Sequence, residues 1–293
     1  MSKSLLHTNT VADTALITAF IRSALQEDTG DGDHTSLAII PEKQNDQAHL
    51  LVKDRGIIAG VELAEMIFKE VDPGLETKVF MRDGTAVRKG DVVFEVYGSS
   101  RSILLAERLV LNCMQRMSAI ATGTQHLVRL LAGLHTKVID TRKTTPNFRY
   151  FEKWAVRIGG GTNHRFGLYD MILIKDNHVD YAGGIADSIR AAKDYVEKNK
   201  PGLEIEIEVR NMRELDETLE VGLVDRIMFD NFTVAGLRRA VEKTAGRFTT
   251  EASGGITAET IRDYAETGVD YISVGALTHT VRSLDLSLKA FRR

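Results

Sequence analysis

Five basic side chains are concentrated in the segment 138–178, among glycines and short apolar runs. They are Arg142, Lys143, His164, Arg165 and Lys175, in the motifs DTRKTTP, GGGTNHRFG and ILIKDNH. The whole chain has a formal net charge of -3, so this local excess of cations is not a consequence of composition. Clustered guanidinium and ammonium groups bind anions that carry several charges. The segment therefore predicts a small, multiply charged substrate.

Short β-strand patterns alternate with helical patterns from Lys137 onward. We expect strands at 138–140, 171–174, 204–209, 226–229, 249–252 and 271–274. Repeated β-α units predict a parallel sheet with right-handed crossovers. Six strands are too few for a closed eight-stranded barrel, which takes about 250 residues. The pattern therefore predicts an open, incomplete α/β barrel.

Nearly every predicted strand ends in charged or glycine-rich residues. These ends lie at 142–143, 175–178, Glu208, 230–231, 251–255 and 274–276. The carboxyl ends of the strands in β/α barrels converge on one mouth, and the reacting groups sit there. The pattern predicts an active-site rim.

Two of these strand ends have the character of a phosphate site. Ser253, Gly254 and Gly255 precede a predicted helix, with Thr257 as its cap, and Gly275 follows the next strand. Backbone N–H groups at glycine turns and at helix N-termini bind phosphate. We expect a ligand with a terminal phosphate, and a plain glycine turn is the alternative.

Two carboxylates lie in otherwise apolar strands, Glu208 in IEIEV and Asp230 in RIMFD. Buried carboxylates are costly unless they are paired or bound to a hard cation. Two interpretations stay open: coordination of Mg²⁺ held by a pyrophosphate, or ion pairs with Lys143 and Lys175.

The chain before residue 117 follows a different pattern. Short strand-like runs lie around 50–52, 57–61, 77–81 and 92–97, with helices over 15–25 and 62–71. They predict an α/β, sandwich-like N-terminal domain. The segment 102–132 is helical and apolar nearly all round, which predicts burial.

Arg108, Asn112 and Gln115 form a polar stripe along this long helix. Buried arginines need an anion. An ion pair with Glu107, a subunit contact and a ligand role for Arg108 are the three alternatives.

The composition is that of a soluble globular protein, with 43% hydrophobic and 27% charged residues among 293. The single cysteine, Cys113, excludes an intrachain disulfide. No apolar run is long enough to cross a bilayer, and the first fourteen residues do not have the pattern of a secretory signal. We expect a cytoplasmic protein that binds neither membranes nor nucleic acid.

Several of these segments resemble the quinolinate phosphoribosyltransferase family. They are EDTGDGDHT, AERLVLNCMQRMSAIAT, DTRKTTP, GGGTNHRFGLYDMILIKDNH, EIEVRN, IMFDN, EASGGIT and DYISVGALTH, in family order. The resemblance implies an N-terminal α/β domain over 1–116, completed by a C-terminal helix over 280–293. It also implies an open α/β barrel over 117–279, in a homodimer or higher oligomer whose N-terminal domains cover the partners' barrels and share their active sites.

The resemblance also implies a role for each motif residue. Quinolinate would be bound by Thr141, Arg142, His164, Arg165 and Lys175, with Arg108 entering from the partner subunit. Phosphoribosyl pyrophosphate and its Mg²⁺ would be engaged by the catalytic residues Lys143, Glu208 and Asp230. The 5′-phosphate would be bound by Ser253, Gly254, Gly255, Val274, Gly275 and Ala276. The sequence departs from the family pattern at Asn147 and Phe148, where the family has glycine and an aliphatic residue.

The activity implied is phosphoribosyl transfer to quinolinate with decarboxylation, which gives nicotinate mononucleotide, CO₂ and pyrophosphate in NAD biosynthesis. One alternative is a relative from molybdenum transport loci with the same fold, which predicts loss of Arg108, Arg142, Arg165 or Lys175. All four are present. Another alternative is a Schiff-base aldolase that uses Lys143 or Lys175. A non-catalytic carrier is a third, and it leaves the strand-end charges unexplained.

Overall fold

Two sheets of opposite kind organise the chain, an antiparallel sheet of four strands and a parallel sheet of six strands. The computed structural model describes residues 11–291. One unit of the fold ends at Thr122 and resumes at Arg282, and the other covers Gly123–Val281. The division falls inside a long helix, a few residues after the predicted boundary at 116.

The first unit begins with two helices and alternates strands with helices thereafter. Its elements are α1 (Val11–Thr29), α2 (His34–Ile39), β1 (Asn45–Val52), β2 (Gly56–Ile57), α3 (Val61–Val71), β3 (Glu76–Val79), β4 (Ala86–Val87), β5 (Val92–Ser99) and α4 (Ser100–Leu130). The core forms where apolar faces of α3 and the sheet meet. Phe68 of α3 and Phe94 of β5 pack edge to face, with ring centroids 5.7 Å apart.

The second unit repeats strand and helix along the chain. Its elements are β6 (Lys137–Ile139), α5 (Arg149–Ile158), β7 (Ile172–Ile174), α6 (Asp176–Ala182), α7 (Ile185–Asn199), β8 (Ile205–Val209), α8 (Met212–Val221), β9 (Arg226–Asp230), α9 (Val234–Thr244), β10 (Thr249–Ser253), α10 (Ile261–Ala265), β11 (Tyr271–Ser273) and α11 (Ala276–His279). The six strands are parallel, in the order β6-β11-β10-β9-β8-β7. Within residues 11–291, β6 and β7 do not pair with each other, so the predicted open barrel is confirmed.

The C-terminal segment corrects one prediction. A helix over 280–293 is wrong, because Leu286–Ala290 form strand β12, and residues 292–293 lie outside the described part. Strand β12 pairs antiparallel with β1, which gives the first sheet the order β12-β1-β5-β3. Leu286 and Leu288 are buried, and their two-residue spacing suits a strand with one face in the core.

Across residues 11–291, no helix combines the length and the apolar character that a membrane span requires.

Helix α3 begins without a capping side chain of its own. Its first residue follows Gly60, which has a left-handed φ of 92°. Asp83, from the turn before β4, accepts a hydrogen bond from the Val61 N–H at 2.8 Å. Burial raises the pKa of Asp83 to about 6. The helix start therefore depends on a remote, largely buried carboxyl group.

We predict that Asp83→Ala lowers the free energy of unfolding at neutral pH by about 1–3 kcal/mol, because the buried Val61 N–H loses its acceptor. Urea denaturation measures this. Asp83→Asn is the matched control, since its amide oxygen still accepts. The raised folded-state pKa stabilises the wild-type protein at low pH, and this contribution is lost as pH rises from 3.8 to about 6. The stability of wild type relative to Asp83→Asn should therefore fall across that window, and a flat difference would contradict the account.

Candidate active site

The carboxyl ends of the six parallel strands bring most predicted site residues to one edge of the sheet. In strand order they are Thr141, Arg142 and Lys143 after β6; Val274, Gly275 and Ala276 after β11; Ser253, Gly254 and Gly255 at β10; Asp230 on β9; Glu208 on β8; and Lys175 after β7. His164 and Arg165 lie between α5 and β7. These residues therefore share one edge of the parallel sheet within the second unit.

Lys175 and Glu208 form an ion pair on the β7 side of this edge. The Lys175 Nζ atom lies 3.2 Å from the Glu208 Oε2 atom. Burial raises the pKa of Glu208, the Lys175 charge opposes the rise, and the nearby charge of Asp230 adds to it. Of the two predicted lysine pairs, the one with Lys175 is present in this structure.

Lys143 follows β6, the edge strand at the other end of the strand order, and lies beside the turn after β11. Its backbone oxygen accepts a hydrogen bond from the Thr278 Oγ1 at 2.7 Å. A methyl group placed on Gly275 would come within 3.2 Å of the Lys143 Cδ atom. The side chain therefore lies against the predicted phosphate turn, and a side chain at position 275 would crowd it.

The glycine turn after β10 is sterically fixed. Gly254 has a φ of 99°, and a Cβ atom there would overlap the side chain of Asn231 and lie 2.8 Å from its backbone nitrogen. Asn231 N in turn donates to Ser253 O at 2.9 Å. Within residues 11–291, no hydrogen bond is recorded for the N–H groups of Gly254 and Gly255. These donors are available to an anion.

A helix cap by Thr257 after this turn is not present. Helix α10 begins at Ile261, and Thr257 instead donates its N–H to the Thr260 Oγ1 at 3.1 Å in a separate turn. The backbone donors of the glycine turn therefore act without a helix N-terminus next to them.

Two guanidinium groups lie close together at this rim. Burial lowers the pKa of Arg165, and the charge of Arg142 lowers it further. Arg165 Nη1 donates to the Met171 carbonyl at 3.2 Å. The buried Nε atom of Arg142 has no hydrogen-bond partner among residues 11–291. A pair of like charges of this kind suits an external anion, and its role in binding quinolinate stays a prediction.

A buried ion pair fixes the segment that carries Arg165. Lys153 Nζ and Asp140 Oδ1 are in contact, and both side chains are fully buried. Asp140 accepts hydrogen bonds from His164 N at 2.8 Å and from Asn163 Nδ2 at 2.5 Å. Lys153 Nζ also donates to His164 O at 3.1 Å. Burial raises the pKa of Asp140 and lowers that of Lys153, against their mutual attraction.

The ring of His164 points into the unit. Its Nδ1 atom accepts the Arg165 N–H at 2.7 Å, and its Nε2 atom lies 2.9 Å from Glu206 Oε2 and 3.3 Å from Glu251 Oε2. Arg226 Nη1 is 3.3 Å from the same Glu251 oxygen. The predicted rim included Glu251 as a strand end but not Glu206, although Glu206 precedes Glu208 by two positions and faces the same way. Binding of quinolinate by His164 itself stays a prediction.

Arg108 lies on α4 in the first unit, and the predicted burial is wrong for its face of the helix. Arg108 and Asn112 are exposed, while the neighbouring Val110 and Leu111 are buried. No ion pair between Arg108 and Glu107 is recorded within the described residues. An exposed arginine requires no internal anion, so a subunit contact and a ligand role remain.

Asn147 explains the departure from the family pattern. Its φ is 61°, in the left-handed region that glycine adopts most easily. Asparagine is among the few other residues that tolerate this conformation. The loop therefore keeps its shape despite the substitution.

Comparisons with known proteins agree over most of the chain. Residues 33–118 match the family model described as "Quinolinate phosphoribosyl transferase, N-terminal domain", and residues 120–289 match its C-terminal counterpart. The chain is 47% identical over 284 residues to "Quinolinate phosphoribosyltransferase [decarboxylating] 1b" of Nicotiana tabacum, covering 92% of this chain and 81% of that protein. It is 43% identical over 262 residues to "Probable nicotinate-nucleotide pyrophosphorylase [carboxylating]" of Bacillus subtilis, covering 89% of each. The solved structure of the nicotinate-nucleotide pyrophosphorylase of Francisella tularensis matches with a TM-score of 0.87 and 38% identity, covering 94% of this chain and 96% of that one.

We predict that Lys153→Met lowers the free energy of unfolding by about 3–5 kcal/mol, because it leaves the Asp140 carboxylate buried without its partner. Lys193→Met is the matched control. Lys193 forms an exposed ion pair with Glu197 on α7, so the same substitution there should change stability by at most about 0.5 kcal/mol. Chemical denaturation measures both. Equal losses in the two variants would show that the buried pair contributes no more to the free energy of unfolding than the exposed pair.

Proposed function

The chain belongs to the quinolinate phosphoribosyltransferase family, and from this premise we infer that it catalyses phosphoribosyl transfer to quinolinate. The donor is phosphoribosyl pyrophosphate, and the products are nicotinate mononucleotide, CO₂ and pyrophosphate, as in the biosynthesis of NAD. The observation that carries this proposal is the Arg142–Arg165 pair, two neighbouring guanidinium groups that need an external anion.

Quinolinate suits this pair because it has two adjacent carboxylates. A guanidinium binds a carboxylate through two parallel N–H···O contacts, which a lysine ammonium does not reproduce. In our proposal Arg142 and Arg165 bind the two carboxylates, and Thr141 and Lys175 lie at the edges of the same site. A monocarboxylate such as nicotinate would leave one guanidinium without a partner.

Phosphoribosyl pyrophosphate would bind on the β11 side of the rim. The free N–H groups of Gly254 and Gly255 and the turn at Gly275 suit the 5′-phosphate. Lys143 stands beside that turn, so its ammonium would neutralise charge on the phosphoribosyl group or on the departing pyrophosphate. Adjacent residues of one motif, Arg142 and Lys143, would then serve different substrates.

Glu208 and Asp230 fit a hard cation. They lie on adjacent strands, and the charge of Asp230 adds to burial in raising the pKa of Glu208, so the two carboxylates repel each other. Oxygen donors of this kind suit Mg²⁺. We propose that these two residues would hold Mg²⁺ beside the pyrophosphate, where the bound ion neutralises the leaving group. The same carboxylates would stabilise positive charge at the ribose carbon as the bond to pyrophosphate breaks.

Decarboxylation follows from the new bond to the ring nitrogen. The positively charged pyridinium accepts the electrons that remain at C2 when CO₂ leaves, and a proton then replaces the carboxylate. The protein's contribution to this step is to hold the intermediate in place, with the second carboxylate still bound by arginine. No covalent nucleophile is needed.

We also propose a homodimer or higher oligomer with shared sites. Arg108 is exposed on α4 although it lies between buried residues, which suits a contact with a second subunit. In this arrangement Arg108 adds a further cation to the partner's quinolinate site.

The proposed location is the cytoplasm, which suits a chain with a single buried cysteine. Some of the plant relatives are named mitochondrial and others chloroplastic.

The direct test is an assay of the purified protein with Mg²⁺, quinolinate and phosphoribosyl pyrophosphate. We predict release of CO₂ and formation of nicotinate mononucleotide in equal amounts, and little product when nicotinate replaces quinolinate. Absence of product with folded protein would contradict the proposed function. Borohydride trapping of a carbonyl substrate on Lys143 or Lys175 would favour the aldolase alternative instead.

The shared site predicts complementation between two inactive variants. Arg108→Ala and Lys143→Ala subunits, combined in heterodimers purified with two different tags, should recover about half of the wild-type activity, because one of the two sites is intact. Each parent homodimer is its own control. No recovery in verified heterodimers would place Arg108 in the site of its own subunit.

A further inference from the structure

Two fully buried carboxylates of the second unit lie beside the ring of a rim residue, His164. Glu206 and Glu251 are fully buried on β8 and β10, with the ring of His164 against both of them. We call these two carboxylates the acid layer. Resting on the proposed function, we propose that His164 is a positioning residue, held by the acid layer, that fixes Arg165 for binding the quinolinate carboxylate.

The contacts of the two ring nitrogens define this role. The Nδ1 atom accepts the backbone N–H of Arg165 at 2.7 Å, so it uses its lone pair. In this arrangement the ring proton is on Nε2, which faces Glu206 Oε2 at 2.9 Å. The His164 side chain is only 6% exposed. Both ring nitrogens therefore face groups of the protein.

The acid layer provides the charge that holds the ring. Burial opposes a positive charge on His164, but the charges of Glu251 and Glu206 outweigh it and raise the pKa of His164. Burial, together with the charge of Glu251, raises the pKa of Glu206. The carboxylates thus keep the Nε2 proton on the ring, where it faces Glu206.

A metal ion is the competing occupant of this cluster. One ligand atom from each of His164, Glu206 and Glu251 lies within 4.8 Å of the others, a spacing that an ion would bridge. A metal needs the lone pair of Nε2, but Nδ1 already accepts a hydrogen bond, so the neutral ring has its proton on Nε2. Arg226 also places a guanidinium 3.3 Å from Glu251. These surroundings favour a proton on Nε2 over a bound metal ion.

Arg165 is the group that this arrangement serves. Its N–H is bound by the His164 ring and its Nη1 by the Met171 carbonyl at 3.2 Å, so both ends of the residue are held. Burial and the charge of Arg142 lower its pKa, while the charges of Glu206 and Asp170 raise it. The charge of Glu206 therefore offsets part of the repulsion between two arginines that must stay close for a dicarboxylate.

The test compares Glu206→Gln and Glu251→Gln with wild type in the full enzyme assay. Glutamine keeps the volume but removes the charge and turns an N–H group toward the cluster. We expect the KM for quinolinate to rise by about tenfold or more in each variant, with the KM for phosphoribosyl pyrophosphate unchanged. Glu214→Gln is the matched control, because Glu214 is a buried glutamate of α8 that accepts a hydrogen bond from Arg210. It should lower thermal stability without changing either KM.

A double-mutant cycle separates positioning from direct binding. If His164 acts through the acid layer, His164→Asn combined with Glu206→Gln should raise the quinolinate KM no further than the stronger single variant. Additive effects would indicate that His164 binds quinolinate itself. Wild-type quinolinate KM in folded Glu206→Gln and Glu251→Gln proteins would overturn the proposal.

Two other outcomes are also decisive. If both acid-layer variants fail to fold while Glu214→Gln folds, the layer serves stability and the proposal is wrong. An inactive wild-type protein would contradict the proposed function, whereas active wild type with unaffected acid-layer variants would contradict the positioning role alone.

Discussion

The buried ion pair between Asp140 and Lys153 is the constraint on which the rest of the site depends. It joins the end of β6 to helix α5, and through its hydrogen bonds it holds the side chain of Asn163 and the backbone of His164 beside that strand. Isolated charges in such a place are expensive, so the pair is stable only with its full set of partners. The two motifs that carry Arg142 and Arg165 are therefore fixed to each other by groups that never reach the rim.

The order of the strands determines which residues lie next to each other on each side of the rim. Strand β6 lies next to β11, which places Lys143 beside the turn at Gly275. Strand β7 lies next to β8, which places Lys175 beside Glu208. One lysine thus lies beside the proposed phosphate turn, and the other is paired with an acid. The two lysines have different surroundings because the strand order separates them in space.

Much of the site could be predicted because its residues lie in short contiguous motifs at strand ends. The alternation of strands and helices was sufficient to predict the open barrel, and the basic residues of 138–178 were sufficient to predict an anion site. The partners of those residues could not be predicted from the sequence in the same way. Lys153 lies within a helix, and Glu251 and Glu206 lie on separate strands, so only the folded sheet brings them to Asp140 and His164.

The errors have equally local reasons. A helix was expected at β12 because the family resemblance implied one, although Leu286 and Leu288 have the two-residue spacing of a strand. The burial expected for Arg108 rested on the overall apolar character of α4. Arg108 lies on a narrow exposed stripe of this helix, and an average over the whole segment does not reveal so narrow a stripe.

The central claim is that Arg142 and Arg165, held from below, form a clamp for two carboxylates. A crystal structure of the protein with quinolinate tests it most directly. We predict that the two carboxylates of quinolinate lie within hydrogen-bond distance of the guanidinium groups of Arg142 and Arg165, with the His164 ring still against Glu206. Quinolinate bound elsewhere, or bound with its carboxylates directed away from both arginines, would contradict the account.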